Sequence, residues 1–401
     1  MIRRRVASAA CALWLWRSAQ SSSAVLPSPG STDRERAVAA LHRRASAAAP
    51  GTAEAEAVAG ALAVIARADL DAGEAGRAAE LLGEAYSLDE DSGLILAELT
   101  LAHLALGDTG TARFYLHRAE ERATSAPPEI FAVLGDVYER LHRLDDAVTA
   151  WEEFARFGGQ DGDVLARLRR ARDEVALQRG QRSADFGRFS VFADPAVEQD
   201  DVAAAARTLS AAYDEQSAFF GVELPEPQVA VLYAGRAYFS LASVPDWVAG
   251  AYDGKIRVSV QPGGLEPGGI LSHELAHAFI RRASADRAPA WLHEGLAQWL
   301  EGRRMPRSAF VEYVGGRAAP SLPALDARFA TRRTRAEART SYAQALFLVE
   351  HIVRVRGEGA VACLVTRLGS ARDFDDALRA ETGITEAELV AGWRNDGALG
   401  R

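Results

Sequence analysis

Cysteine is nearly absent: Cys11 and Cys363 are the only two in 401 residues. Loss of the first with a leader leaves no internal disulfide. The fold must then rest on buried apolar surface, which a chain of this length can supply. An excess of positive charge is also missing. The formal net charge is −9, so nothing favours nucleic acid as a partner. No apolar run beyond the first residues is long enough to span a bilayer. The hydrophobic share of 48% and charged share of 25% are those of ordinary globular protein, which excludes wholesale disorder. What remains is room for two or more domains.

The first residues have the layout of a targeting segment. Ile2 to Arg5 follow Met1 as a basic head, Val6 to Trp16 are mostly apolar, and Ser21-Ser22-Ser23-Ala24 are small. This order reads as a signal peptide over 1–24, cleaved after Ala24. An uncleaved anchor or a plain disordered tail are the other readings of the same stretch. The expected location is periplasmic or extracellular if the leader functions, and cytoplasmic otherwise.

Residues 33–182 are rich in helix-forming Ala, Leu, Glu and Arg, and they repeat. Gly73 with Ala78, Gly107 with Ala112, and His142 with Ala147 recur at steps of about 34 residues. Each pair places a turn residue between two helical patterns and a small residue where the second helix must approach the first. Pro127-Pro128 suits a helix start. The period resembles that of tetratricopeptide repeats, which form all-α solenoids whose concave face binds a peptide or protein partner.

Around Gly180 to Gly187 the pattern changes, and a second domain is expected over 186–400. Phe189 to Phe192, Val229 to Tyr233 and Ile256 to Val260 read as strands, and Asp201 to Phe220 as a helix. Four later helical patterns begin at Ser341, Glu358, Asp373 and Thr385, the last with a capping-box Glu388. The fold class is therefore α+β.

Chemistry concentrates in Leu271-Ser272-His273-Glu274-Leu275-Ala276-His277-Ala278. Its apolar spacing is helical, so His273 and His277, four apart, stand one turn above each other on one face. Two imidazole nitrogens can then reach one metal ion, with Glu274 beside them to accept a proton from water. Two solvated surface histidines are the plain alternative, since the pattern arises by chance roughly once in a hundred such chains. A catalytic metal also needs a third protein ligand and an open position. A carboxylate on a second short helix is available in Ala290 to Gly302, after a polar loop ending at Pro289.

His-Glu-x-x-His followed by Trp291-Leu292-His293-Glu294-Gly295-Leu296-Ala297 resembles the gluzincin metallopeptidases, and most of all the peptidase MA-like domains of bacteria. The resemblance covers about the C-terminal half of the chain. It implies a zincin-like domain, a small mixed sheet with the metal-binding helix and a helical C-terminal part. It implies Zn2+ on His273, His277 and Glu294, with Glu274 as general base. Ser341-Tyr342-Ala343 matches the family's tyrosine stretch and implies that Tyr342 stabilises an oxyanion; a half-buried tyrosine at a helix start is the structural alternative. Aminopeptidases of the group carry a Gly-Ala-Met-Glu-Asn strand whose Glu binds the substrate amino terminus. Here the corresponding place reads Ala249-Gly250-Ala251-Tyr252-Asp253, without that Glu, which points to an endopeptidase. In the family the strand before the metal-binding helix is the sheet edge that pairs with substrate. Gly250, Ala251 and Tyr252, leading into that strand, are the expected substrate contacts, an ordinary turn being the alternative.

The combined expectation is a zinc peptidase acting on a peptide or protein, with a repeat scaffold for substrate or partner. The alternative is a tetratricopeptide adaptor whose peptidase-like domain binds without cleaving.

Overall fold

The computed structural model describes residues 32–123, 127–224, 227–241, 245, 248–261, 269–306, 320–329 and 334–398. The expected leader over 1–24 lies outside them. The described residues hold seventeen helices and one five-stranded mixed sheet, an α+β architecture. They divide into two compact units, one up to Ala176 and one from Leu177 onward. No described helix is long and apolar enough to cross a membrane.

The first unit is all helix: α1 (Thr32–Ala47), α2 (Ala53–Asp71), α3 (Ala75–Leu88), α4 (Gly93–Ala105), α5 (Thr109–Ala123), α6 (Pro128–Arg140), α7 (Leu144–Arg156) and α8 (Gly162–Gln178). Local signals start them. Thr52 Oγ1 accepts from the Ala55 amide at 3.2 Å to cap α2, and Pro128 opens α6. One turn then recurs between α2 and α3, α4 and α5, and α6 and α7. Gly73, Gly107 and His142 each have positive φ, at 81°, 75° and 58°. The following amide donates five residues back: Glu74 to Asp69 O at 2.8 Å, Asp108 to His103 O at 2.9 Å, Arg143 to Tyr138 O at 2.8 Å. This turn folds each pair into a hairpin and buries Ala78, Ala112 and Ala147 between its helices.

Charge also runs through the unit. Arg67 on α2 meets Glu98 on α4 at 3.3 Å and Asp136 on α6 at 3.1 Å, and Arg167 on α8 meets Asp136 at 3.0 Å. Both carboxylates are buried, and each depends on these guanidiniums to offset its lost hydration.

The second unit begins with a hairpin of β1 (Arg182–Phe186) and β2 (Phe189–Ala193), followed by α9 (Gln199–Phe220), β3 (Gln228–Ala234), α10 (Ala237–Leu241), β4 (Gly250–Tyr252) and β5 (Ile256–Val260). The sheet order is β1-β2-β3-β5-β4. The β2–β3 and β3–β5 pairs are parallel, and the two outer pairs are antiparallel. Two expectations change here. The second domain, expected from 186, is preceded by strand β1 within Gly180 to Gly187, whose mostly exposed Arg-Ser-Ala-Asp-Phe has no apolar alternation to reveal it. The strand before the helix that carries the two histidines, β5, is not the edge. All five of its residues are buried, it lies between β3 and β4, and the edge on that side of the sheet is β4.

One sheet face packs against α9 and the helix that carries the two histidines, through Phe189, Val191, Leu232, Val258, Tyr213 and Phe279. The other face holds Val231, Tyr233, Tyr238 and Phe239. There the buried Arg257 grips both Asp253 oxygens at 3.0 and 2.9 Å, donates to the Tyr233 hydroxyl at 2.7 Å, and lies 4.1 Å from the Tyr238 ring centre. That grip fixes the β4–β5 turn.

The remaining helices are α11 (Gly269–Ser284), α12 (Ala290–Leu300), α13 (Leu322–Asp326), α14 (Arg335–Arg356), α15 (Glu358–Leu368), α16 (Phe374–Thr382) and α17 (Glu386–Ala398). Helix α14 starts before the expected Ser341. Thr334 and Glu337 form a reciprocal capping box that sets its first turn, so Tyr342 stands about two turns inside.

Helices α6 and α7 approach so closely that a methyl group on Gly135 would lie inside the Trp151 indole. The indole is fully buried and donates to Ala132 O at 3.2 Å. Gly135→Ala is expected to destabilise the protein by about 1–3 kcal/mol through overpacking. Gly110→Ala, whose added carbon would meet only Asp108 Oδ1 at 3.8 Å, is the control and should be neutral or stabilising. Denaturant unfolding of both variants checks this, and equal effects would refute the close approach.

Candidate functional site

Helix α11 has two chemically different faces. Leu271, Leu275 and Phe279 enter the core, while His273, Glu274 and His277 border a cleft of about 990 Å3. The one-turn spacing leaves the His273 and His277 ring centres 5.0 Å apart.

The turn after α11 decides which residues face these rings. Ala285 and Asp286 both adopt positive φ, at 51° and 61°. The Asp286 amide donates to Arg281 O at 2.8 Å, and the Arg281 guanidinium closes on the Asp286 carboxylate at 2.9 and 2.8 Å. Pro289 then caps α12, which runs back along α11. His293 accordingly neighbours His277, with Nδ1 atoms 3.5 Å apart, and Glu301 neighbours His273 one helix length away.

Glu294 lands between them. Its Oε2 is 3.4 Å from His273 Nε2 and 3.9 Å from His277 Nε2. Ligand atoms of His273, His277 and Glu294 all lie within 4.8 Å of one another. The Glu294 Oε2 is buried and accepts no hydrogen bond from a described residue. On the outer side of His273, Glu301 Oε2 lies 3.2 Å from Nδ1, and its other oxygen meets Arg303 Nε at 2.5 Å. A carboxylate on Nδ1 holds the proton there and turns Nε2 inward as an electron-pair donor. Glu301 and its arginine are not among the residues expected from the sequence, although Glu301 is seven residues, two turns, beyond Glu294 on the same face.

Glu274 is buried beside this group. Strand β4 passes so close that a methyl group on Gly250 would come within 2.5 Å of Glu274 Oε1. Gly250, Ala251 and Tyr252 line the same cleft, as does Tyr342. The Tyr342 hydroxyl bonds to the Glu294 carboxylate, and its ring meets Phe329 edge-on with centres 5.4 Å apart. Its backbone is fixed by Gln298, whose buried Nε2 donates to Glu294 O at 2.9 Å and Tyr342 O at 3.0 Å. Gly295 permits this, because any side chain there would run into the Ala345 carbonyl.

The electrostatics describe a site waiting for positive charge. Burial works against a proton on His273, yet the facing Glu294 and Glu301 carboxylates raise its pKa to about 10. Burial raises Glu274 to about 8, with Glu294 and Glu301 adding to the effect and His273 opposing it. Burial lowers His277 to about 3 and His293 to about 4. Burial pushes Glu294 up, but His273 and His277 outweigh it and leave the carboxyl below its ordinary value. Burial and the charges of Glu294 and Glu274 raise the Tyr342 hydroxyl. A divalent cation would compete with the His273 proton for the same electron pair. An orphaned carboxylate oxygen and two imidazoles, with a further carboxylate behind one of them, are a donor set that would suit such an ion.

Among protein-family models, that of the Peptidase MA superfamily matches residues 220–396. No curated protein matches the chain. The matched residues, less than half of the chain, include the whole α11–α12 pair and Tyr342, so it is the C-terminal part that is similar to peptidase MA domains.

Proposed function

We propose that this protein is a zinc-dependent peptidase, with His273, His277 and Glu294 as the Zn2+ ligands. The observation that carries the reading is the buried, unbonded Glu294 Oε2 facing two imidazole Nε2 atoms, with Glu274 in the same cleft. When bound there, the metal would polarise the scissile carbonyl and make water a better nucleophile at neutral pH.

The chain's own groups supply the rest. Glu274 takes a proton from the attacking water and passes it to the leaving amide nitrogen. Its burial beside His273 favours the protonated form that it must hold between the two steps. Tyr342, kept protonated by burial and by its anionic neighbours, donates to the developing oxyanion. The outer edge of β4, terminal in the sheet, pairs with an extended peptide through the backbone of Gly250, Ala251 and Tyr252. Lack of an amino-terminus-binding Glu near Gly250 supports endopeptidase action. The helical hairpins of the first unit serve as a tetratricopeptide-like scaffold for a substrate or protein partner, and the leader over 1–24 directs export.

Elemental analysis of the purified protein tests the ligand set. About one zinc per chain is expected, lost in His273→Ala and in Glu294→Ala. No zinc in the parent protein even after reconstitution would favour the adaptor reading. Glu274→Gln should keep the zinc and lower kcat on a peptide substrate by roughly 10²–10⁴-fold; undiminished turnover would remove Glu274 from the role of base. Glu301→Gln should leave the three ligands in place but weaken zinc affinity by about 10–100-fold, read by competition with a chelator. An unchanged affinity would show that its contact with His273 is incidental.

A further inference from the structure

One histidine of the cleft is left unused by the roles of Glu274 and Tyr342. His293 lines the cleft from α12, half-buried, one residue before Glu294. Adjacent helical residues point about 100° apart, so when Glu294 turns between the two imidazoles His293 is carried to their flank. There its Nδ1 lies 3.5 Å from His277 Nδ1, with the two ring centres 5.6 Å apart. The nitrogen of His277 that faces Glu294 is the other one, Nε2, at 3.9 Å. His293 therefore meets the back of His277 and stands outside the group formed by His273, His277 and Glu294.

This contact fixes where the His293 proton sits. A neutral imidazole has one donor nitrogen and one acceptor. With a metal on Nε2, His277 keeps its proton on Nδ1 and can only donate from there. His293 Nδ1 must then accept, which leaves its own proton on Nε2. That nitrogen has no partner among the described residues and is not closed off by burial. Its N–H is open to the cleft, aimed by a ring that α12 and His277 both hold.

The edge strand lies at the same end. The ion pair of Arg281 and Asp286 acts on Tyr252 of β4 and on the His293 ring alike, so a peptide laid along β4 runs past this ring. Such a peptide bonds the strand through alternate residues only. Its remaining carbonyls point away from β4, and each costs free energy in the cleft unless it finds a donor.

We propose that His293 Nε2–H donates a hydrogen bond to a backbone carbonyl of the bound peptide, and that His277 fixes the tautomer that makes it a donor. The proposal rests on the peptidase reading for the metal and the peptide. It describes recognition of main chain, not of a particular side chain, at this end of the cleft.

Two substitutions separate the nitrogens of the ring. An Asn side chain puts a polar atom near the place of Nδ1, and a Gln side chain puts one near the place of Nε2. Zinc affinity is measured by competition with a chelator in His293→Asn, His293→Gln and His293→Leu. Gln and Leu, without an acceptor for His277, should weaken zinc about 10–100-fold, and Asn should restore most of it. Peptide affinity is measured by anisotropy in zinc-saturated full-length Glu274→Gln protein, with the tightest binder from a panel of labelled random decapeptides. Asn and Leu, without the Nε2 donor, should weaken the peptide about 2–10-fold, and Gln should restore it. One thioamide in the peptide, a poorer acceptor than the carbonyl it replaces, should weaken binding to the parent and not to His293→Leu. A residue that only supports the fold would lower both affinities together in all three variants.

Unchanged zinc affinity or unchanged peptide affinity in His293→Leu, or equal losses in the Asn and Gln variants, would each overturn the proposal and leave the zinc peptidase reading standing. A parent protein that binds no zinc, or zinc but no peptide, would remove that reading and the proposal together.

Discussion

The Glu294 Oε2 is buried without a well-formed hydrogen bond, facing the Nε2 atoms of His273 at 3.4 Å and His277 at 3.9 Å. Removing a carboxylate oxygen from water is expensive, and the cost is tolerable only if positive charge stands close. Two neutral imidazoles offset little of it. The site responds by pulling a proton onto His273, to a pKa of about 10, although burial alone would expel it. Glu301 adds a second carboxylate to the same ring and is itself held by Arg303. Two carboxylates on opposite nitrogens of one imidazole, with Glu274 buried nearby, concentrate negative charge at this ring. The same crowding keeps Glu274 basic and Tyr342 protonated.

Such an arrangement needs backbones closer than ordinary side chains permit. The cleft has two places of this kind, each a glycine without a Cβ. Gly250 lets the edge strand pass over Glu274, and Gly295 lets α12 settle against the Ala345 carbonyl of α14. Gln298 joins α12 and α14 with one amide group, bonding Glu294 O and Tyr342 O together. The distance from Tyr342 to the imidazoles is thereby set by helix packing and two hydrogen bonds, not by a loop. The cleft's opposite wall is a three-residue strand with an open edge, and it depends on Arg257 and Asp253 behind it to hold its turn.

These differences decide what could be read from the sequence. Two histidines four apart on an apolar helix specify a shared face by geometry alone, and α11 has that face. Nothing in spacing chooses Glu294 over Glu301 as the carboxylate nearest both rings. Resemblance to a family made that choice, whereas the left-handed pair Ala285 and Asp286 makes it physically by setting how α12 returns. The i, i+7 relation of Glu294 to Glu301 was visible, but its meaning depends on the His273 Nδ1 that α12 brings opposite. Strand β4 is too short for periodicity to show, and without it β5 takes the edge. Strand β1 hid because both its faces are largely exposed. The true start of α14 was present as Thr334 and Glu337, a capping box that begins seven residues upstream of the tyrosine motif.

The two units also respond differently to a local fault. In the first, three apolar clusters succeed one another along the chain, and neighbours meet through shared side chains. Leu70, Tyr86 and Tyr115 touch the first and second clusters, and Phe131 and Tyr138 touch the second and third. A cavity in one cluster is felt mainly by the next, as in any linear stack of hairpins. In the second unit, Leu275 and Phe279 beneath the histidine face, Leu292 and Leu296 beneath Glu294, and Leu346 beside Tyr342 belong to one continuous core. Close-packed interiors transmit strain, so loosening that core at any of these points shifts the imidazoles, the carboxylate and the tyrosine relative to one another. Site geometry in this unit is a property of the whole core, and the hairpin stack can vary without that penalty.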